Sequence, residues 1–276
     1  MSNTSSQWHP LDDSRQQLAW ANERLDTLDG EIGKYVKDHP EHFAFTHHAK
    51  GTGEGVAEIA VLPVLPARWG NHFADAGNSA RAALDYLVYQ LATEGGGNPE
   101  KDKTTFPIAV ERDDYWKKDR WGVTYRDRCL AGVEDRWKEV IDSFQPYHRT
   151  QSPRLHPLAI LNRLSNRQKH KQAHPPFFVV FLPAHMVTPV SRNEVRDVVV
   201  SYRGKDVEVS VGLTSEGRGR ATGVRIYPKL QADGELGTTV AFGDERAGSQ
   251  DLKEVVGYVE RTVLVAFEPA FEPAAE

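Results

Sequence analysis

The sequence predicts an α+β fold: an N-terminal, mostly helical bundle with a β-hairpin insert, then a small antiparallel sheet closed by a C-terminal helix. Three observations carry this reading. Apolar residues recur every three or four positions in several long segments up to about residue 175. Beyond that point the period shortens to two, in Val-rich runs separated by Gly, Pro and charged turns. The segment 249–267 then returns to the helical period. The domain reading is therefore a helical region at 1–175, with its hairpin at about 43–65, and a region at 176–276 of sheet plus C-terminal helix. The second region packs either separately or on the first as one unit.

In chain order, Leu18, Ala21, Leu25, Leu28, Ile32, Tyr35 and Val36 form the stripe of a first helix, which stops at His39 and Pro40. Asp12, Asp13 and Ser14 offer capping oxygens at its start. Two short β-prone runs flank "GTGEG", which reads as a tight hairpin turn; the Lys-Ser/Thr ending of a phosphate loop is missing. Trp69, Phe73, Ala76, Ala80, Leu84, Leu87 and Leu91 line one side of a second helix, ended by Gly95 to Gly97. After a loop and a short helix broken at Gly122, Leu130, Val133, Trp137, Val140, Ile141 and Phe144 form another stripe, stopped by "QPY". The helix "LAILNRLSNRQKHKQAHPP" follows, and then "FFVVFLP", "RDVVVSYRG", "DVEVSVGL", "TGVRIYP" and "GTTVAFG" read as strands. Leu252, Val255, Val256, Val259, Val263 and Phe267 line the closing helix.

Composition narrows function more than it defines it. The formal net charge is -5, with 39 acidic and 34 basic residues, so any nucleic-acid contact must come from a local basic patch. One cysteine, Cys129, excludes an intrachain disulfide and every multi-cysteine zinc framework, which fits a reducing compartment. The N-terminus lacks the basic and apolar segments of a secretion signal. The longest strongly apolar run is "FFVVFL", far below the roughly 20 residues that span a bilayer. The expectation is a soluble, cytoplasmic protein without a membrane partner.

The polar side of the 158–176 helix raises the functional question. Leu158, Leu161 and Leu164 fall on one line, while Arg163, Asn166, Arg167, His170 and His174 cluster roughly opposite. Such a face is the ordinary wet side of an amphipathic helix or a site. Arg163, followed seven positions later by His170, resembles the motif of HEPN-type helical domains. That resemblance implies a metal-independent endoribonuclease, often a homodimer, acting on RNA without a cofactor. There His170 helps deprotonate a ribose 2′-hydroxyl and Arg163 stabilises phosphate charge; Asn166 would orient the phosphate or the imidazole. The residue after the arginine, usually polar in that family, is Leu164 here. The chemistry suits these residue types, because imidazole titrates near neutrality and guanidinium offers a fixed fork to phosphate oxygens.

A second resemblance is broader. "NSARAALDYLVYQL", "FPI", "IDSFQPY" and "PLAILNRLSNRQKHK" are similar to a recurring bacterial family without assigned activity, marked by Arg-x-Ala-Leu-Asp and Asn-x-x-Lys-His. It covers about Trp69 to Lys171, and its matching polar positions are Asn78, Arg81, Asp85, Asn166, Lys169 and His170. If the two helices are neighbours, Asp85 holds Lys169 or His170 with Arg81 beside them. That cluster either fixes helix register or supports an acid-base group. The alternative to a ribonuclease is thus a non-catalytic protein- or ligand-binding module in which the same polar face is structural.

Other groups carry less. His170 and His174 have a metal-ligand spacing, but Lys171 stands where a metalloprotease has Glu, and no metal is expected. Cys129 lies in "YRDRCLAG" among arginines that favour a thiolate, but reads as a helix-start residue rather than a nucleophile, since reactivity needs exposure and a base. Tyr115, Trp116, Trp121, Tyr125 and Trp137 interleave with Lys117, Lys118, Arg120, Arg126, Arg128 and Arg136, the composition of a single-strand binder. It equally suits rings packed inward beneath exposed arginines, the favoured reading, and Asp113, Asp114, Asp119 and Asp127 weaken the local positive field.

Overall fold

The computed structural model describes residues 8–39, 45–50, 54–59, 65–102, 104–170, 176–182, 195–203, 206–213, 237–242 and 247–272; side chains are described for 8–39, 65–102, 104–166 and 249–272. The chain forms two compact units, Met1–Asp26 with His72–Ala173 and Gln250–Glu276, and Thr27–Asn71 with His174–Ser249.

In the first unit, the leucine stripe of α1 (Asp12–Asp38) lies fully buried at Leu18, Ala21 and Leu25. Asp12 accepts from His9 N at 2.8 Å, three residues before the helix, and the Leu11 amide at the helix start donates to His9 Nδ1 at 3.1 Å. Ser14 is buried instead, and its hydroxyl donates to the Ala83 carbonyl of α2 (Arg68–Glu94) at 2.9 Å, pinning the two helices together. On α2 the residues Phe73, Ala76, Ala80, Leu84, Leu87 and Leu91 are all buried, as the 3.6-residue period requires.

The short helices α3 (Pro99–Asp102), α4 (Arg112–Trp116) and α5 (Tyr125–Cys129) follow, then α6 (Asp135–Ser143). Thr124 caps α5, accepting from Asp127 N at 3.0 Å while donating to the Asp127 carboxylate at 2.7 Å. Helix α7 (Pro157–His170) buries Leu158, Leu161 and Leu164, and Gly77 of α2 comes close to Leu164. The chain ends in α8 (Ser249–Tyr258), a π-helical turn (Val259–Leu264) and α9 (Val265–Phe267). This closing segment belongs to the first unit: Lys253 pairs with Asp26 at 2.7 Å, and the Phe267 ring meets those of Trp137 and Phe144.

Glycines are indispensable where α2 ends. A Cβ at Gly132, whose φ is +79°, would lie 2.7 Å from the Cα of Gly97, and one at Gly97 would lie as close to Gly132. Backbone occupies both sides of the contact, so no side chain can swing away. Gly132→Ala is therefore expected to destabilise the protein by about 2 kcal/mol or more, measured by chemical denaturation; an unchanged midpoint would contradict this packing.

In the second unit, β1 (Phe45–Lys50) pairs antiparallel with β2 (Glu54–Ile59), His47 opposite Ala57. Backbone ladders also join β3 (Pro176–Leu182), β4 (Val195–Arg203), β5 (Asp206–Leu213), β6 (Gly237–Phe242) and β7 (Ala247–Gly248) in the antiparallel order β5-β4-β3-β6-β7. Here too, within residues 27–71, Glu31 accepts from Arg68 Nε at 2.7 Å and Trp69 Nε1 at 2.9 Å.

The α+β expectation is corrected. The part of the chain with described side chains is 73% helical and holds no strand or sheet, so it is a predominantly helical body. The physical reason lies in the core. Alternating hydrophobicity marks a sheet layer only through the face it buries. Among the described side chains, the buried apolar ones lie on helices or in the segments beside them, so the described core is built from stripes of the 3.6-residue period.

Candidate functional site

Helix α7 runs unbroken to His170, so Arg163 and His170 stand seven residues apart on one helix. Arg163 is half-buried, and its Nη1 donates to the Arg154 carbonyl at 2.5 Å, tying α7 to the loop before it. Asn166 is exposed and donates to Asn162 Oδ1 at 3.1 Å, one turn back on the same helix. The side chains of Arg167, Lys169 and His170 lie outside the described residues, as does His174.

The α2 side of the expected cluster is committed elsewhere. Arg81 is 8% exposed. Its Nη2 lies 3.1 Å from Asp85 Oδ1 and donates to Thr105 Oγ1 at 3.0 Å and to the Phe106 carbonyl at 2.5 Å. Asp85 Oδ1 in turn accepts from Thr105 Oγ1 at 2.6 Å and from Phe106 N at 2.9 Å. Both faces of one peptide segment are thus held by an ion pair four residues apart on a helix.

The same segment is gripped from the turn that follows α6. Gln145, buried, accepts from Ala109 N at 3.0 Å and donates to the Pro107 carbonyl at 2.9 Å and the Ile141 carbonyl at 3.2 Å. Arg81, Asp85 and Gln145 together fasten the backbone of 105–109, which places Phe106 and Ile108 in the core. Sequence reasoning missed Thr105 and Gln145. A side-chain bond to a backbone N–H or C=O leaves no periodic signal, because every residue supplies those groups.

Tyr125 and Cys129 sit beside Arg81. Burial pushes the Tyr125 phenol up to about 12, and burial likewise raises the Cys129 thiol above its ordinary value, against the opposing influence of its bond to Tyr125 and of Arg128 and Arg81. A thiol held neutral is a poor nucleophile. Alkylation of Cys129 in the folded protein is therefore expected to stay slow through neutral pH, speeding up only above the ordinary thiol range, whereas urea-unfolded protein reacts at the normal rate. Equal rates in both states would contradict its burial.

A second polar centre ties α4, α5 and α6. Asp142 accepts from Arg126 Nε at 2.8 and 2.9 Å and from the Tyr115 hydroxyl at 2.5 Å. Burial raises the Tyr115 phenol far above its usual range, which keeps it a proton donor. Burial works against the Arg126 charge, but the hydrogen bond and charge of Asp142 outweigh it. The guanidinium also lies 5.2 Å from the Trp116 ring centre.

On this base stands a turn that presents aromatic and basic groups outward. Asp119 N donates to the Val123 carbonyl at 2.9 Å, and Gly122 supplies the left-handed φ of +80°. Asp119 is spent on the turn itself: Oδ1 accepts from Trp121 N at 2.8 Å and Val123 N at 3.1 Å, and Oδ2 lies 3.4 Å from Arg128. Trp121 is 69% exposed and Trp116 40%. The Arg120 guanidinium covers one side of the Trp121 ring at 4.0 Å. The expectation of rings packed inward holds for Tyr115, which is fully buried, and is corrected for Trp116 and Trp121. Lys117, Lys118 and Arg120 are exposed, and no described carboxylate forms an ion pair with them. Asp113 and Asp114, on α4, are exposed as well.

Among the described residues, no group of three His, Cys, Asp or Glu side chains is arranged to hold a metal ion, and no helix is long and apolar enough to cross a membrane. Comparison with family models, curated proteins and solved structures returned no match.

Proposed function

We propose that this chain is a non-catalytic binding module that holds single-stranded RNA on the 116–124 turn. The observation that carries the reading is the exposure of Trp121 beside three cations that pair with no carboxylate among the described residues. A base stacks on the open side of the indole while Lys117, Lys118 and Arg120 meet phosphates. The neighbouring carboxylate most able to oppose this, Asp119, is already engaged by two amides and Arg128. The motif residues Arg81 and Asp85 then serve the fold, by fastening Thr105 and Phe106 to α2.

The test is a fluorescence-anisotropy titration of an RNA of about 12 nucleotides in EDTA, run at several salt concentrations. Three phosphate contacts give a log-log salt slope of about −2. A titration without saturable binding would overturn the reading.

A second reading is favoured by the unbroken course of α7 through both Arg163 and His170. It is a HEPN-like, metal-independent endoribonuclease in which His170 is the base, Arg163 the phosphate-stabilising cation and Asn166 an orienting group. RNA cleavage in EDTA by wild type, lost in His170→Ala and Arg163→Ala, would favour it over the binding module.

A further inference from the structure

A cleft of about 370 Å³ opens between α1 and α2, within the first unit and away from the Trp121 turn. It is lined by Trp20, Glu23 and Arg24 from α1 and by Asp75, Asn78 and Ser79 from α2. That volume lies in the range of small-molecule sites, roughly 300–1,000 Å³.

Its chemistry is one-sided. Asn78 Oδ1 is buried and accepts no hydrogen bond from the protein. A buried acceptor left without a donor costs about 1–3 kcal/mol, so a donor delivered there is favoured. Asp75 is exposed and forms no ion pair with any described residue, and Glu23 adds a second carboxylate to the lining. Trp20 is 47% exposed although it is a large apolar ring on a helix whose leucines are fully buried. An aromatic face beside carboxylates and an unsatisfied carbonyl oxygen is the arrangement that holds an organic cation. With two carboxylates and one guanidinium, Arg24, the lining carries a net charge of −1, which complements a single positive charge.

We propose that this cleft binds a small organic monocation, a primary ammonium or a guanidinium on a short alkyl chain. The charged head donates to Asn78 Oδ1 and Asp75, and the alkyl chain lies against the Trp20 indole. Arg24 disfavours a second positive charge on the ligand.

The experiment uses the full chain, labelled with nitrogen-15, and follows the indole N–H signal of Trp20, assigned with Trp20→Phe. n-Butylammonium and n-butylguanidinium are titrated to about 20 mM at constant ionic strength, with 1-butanol and butyrate as neutral and anionic controls. The expected result is a saturable shift with either cation and none with the controls. Asp75→Asn and Asn78→Leu should each weaken binding about tenfold while the rest of the spectrum stays unchanged. Asp75 is exposed, so its variant folds even if Asn78→Leu does not. Equal shifts with 1-butanol would reduce the site to an apolar contact and overturn the proposal, as would the absence of a saturable shift with both cations. RNA binding at Trp121 is unaffected by either outcome, because the two sites share no residue.

Discussion

Asp85→Ala is expected to lower the free energy of unfolding by about 3 kcal/mol. Removing one member of a buried ion pair costs about 3–5 kcal/mol, because the partner's charge stays behind uncompensated. Asp85 is 32% exposed and Arg81 only 9%, so solvent reaches the carboxylate and the lower end of that range applies. The alanine variant also orphans Phe106 N and the Thr105 hydroxyl, both of which now donate to the same oxygen. Arg81 Nη1 already lacks a partner, so the guanidinium keeps only the neutral Thr105 hydroxyl and Phe106 carbonyl as acceptors and has no second carboxylate among the described residues. Asp85→Asn retains a carbonyl acceptor and should cost roughly half as much. A double-mutant cycle with Thr105→Val should show a coupling of about 1 kcal/mol, since the two residues share a hydrogen bond. If Asp85→Ala unfolds at the wild-type denaturant midpoint, the segment 105–109 is not held as described.

Trp121→Ala is expected to act in the opposite way, leaving stability within about 0.5 kcal/mol and weakening RNA binding about tenfold or more. The ring is mostly exposed, so its removal takes little from the core. Its backbone amide, which bonds Asp119, remains in place. Stacking of a base on an aromatic ring is worth about 1–3 kcal/mol, and that is the quantity lost. Replacing Lys117 and Lys118 together by Gln should instead flatten the salt dependence, by about 0.7 in slope per phosphate contact removed. Binding unchanged in Trp121→Ala would remove the turn from consideration.

The helical body was legible in the sequence to the extent that its core is periodic. Trp69, Phe73, Ala76, Ala80, Leu84, Leu87 and Leu91 are all buried, as are Leu158, Leu161 and Leu164, because one helix face supplies the whole contact. The α+β expectation is corrected on the part of the chain with described side chains, which is predominantly helical and closes with α8 and α9. The π-helical turn at Val259–Leu264 left no mark, since Val259 and Val263 already satisfy the ordinary helical spacing.

The polar clusters divide along similar lines. Arg81 and Asp85 were readable as a pair because they are four apart on a helix. Their engagement with 105–106 was not, for a backbone partner is invisible to residue type. Composition likewise could not tell that Tyr115 turns inward to Asp142 while its neighbour Trp116 turns out, a choice made by the turn at Asp119 and by Arg126.

The measurement closest to the central claim is the anisotropy titration of single-stranded RNA in EDTA against wild type and Trp121→Ala, with the recovered RNA run on a denaturing gel. The expected result is salt-sensitive binding that drops about tenfold in the variant, with the RNA recovered intact. RNA cut by the wild-type protein and spared by His170→Ala, or binding indifferent to Trp121, would contradict it.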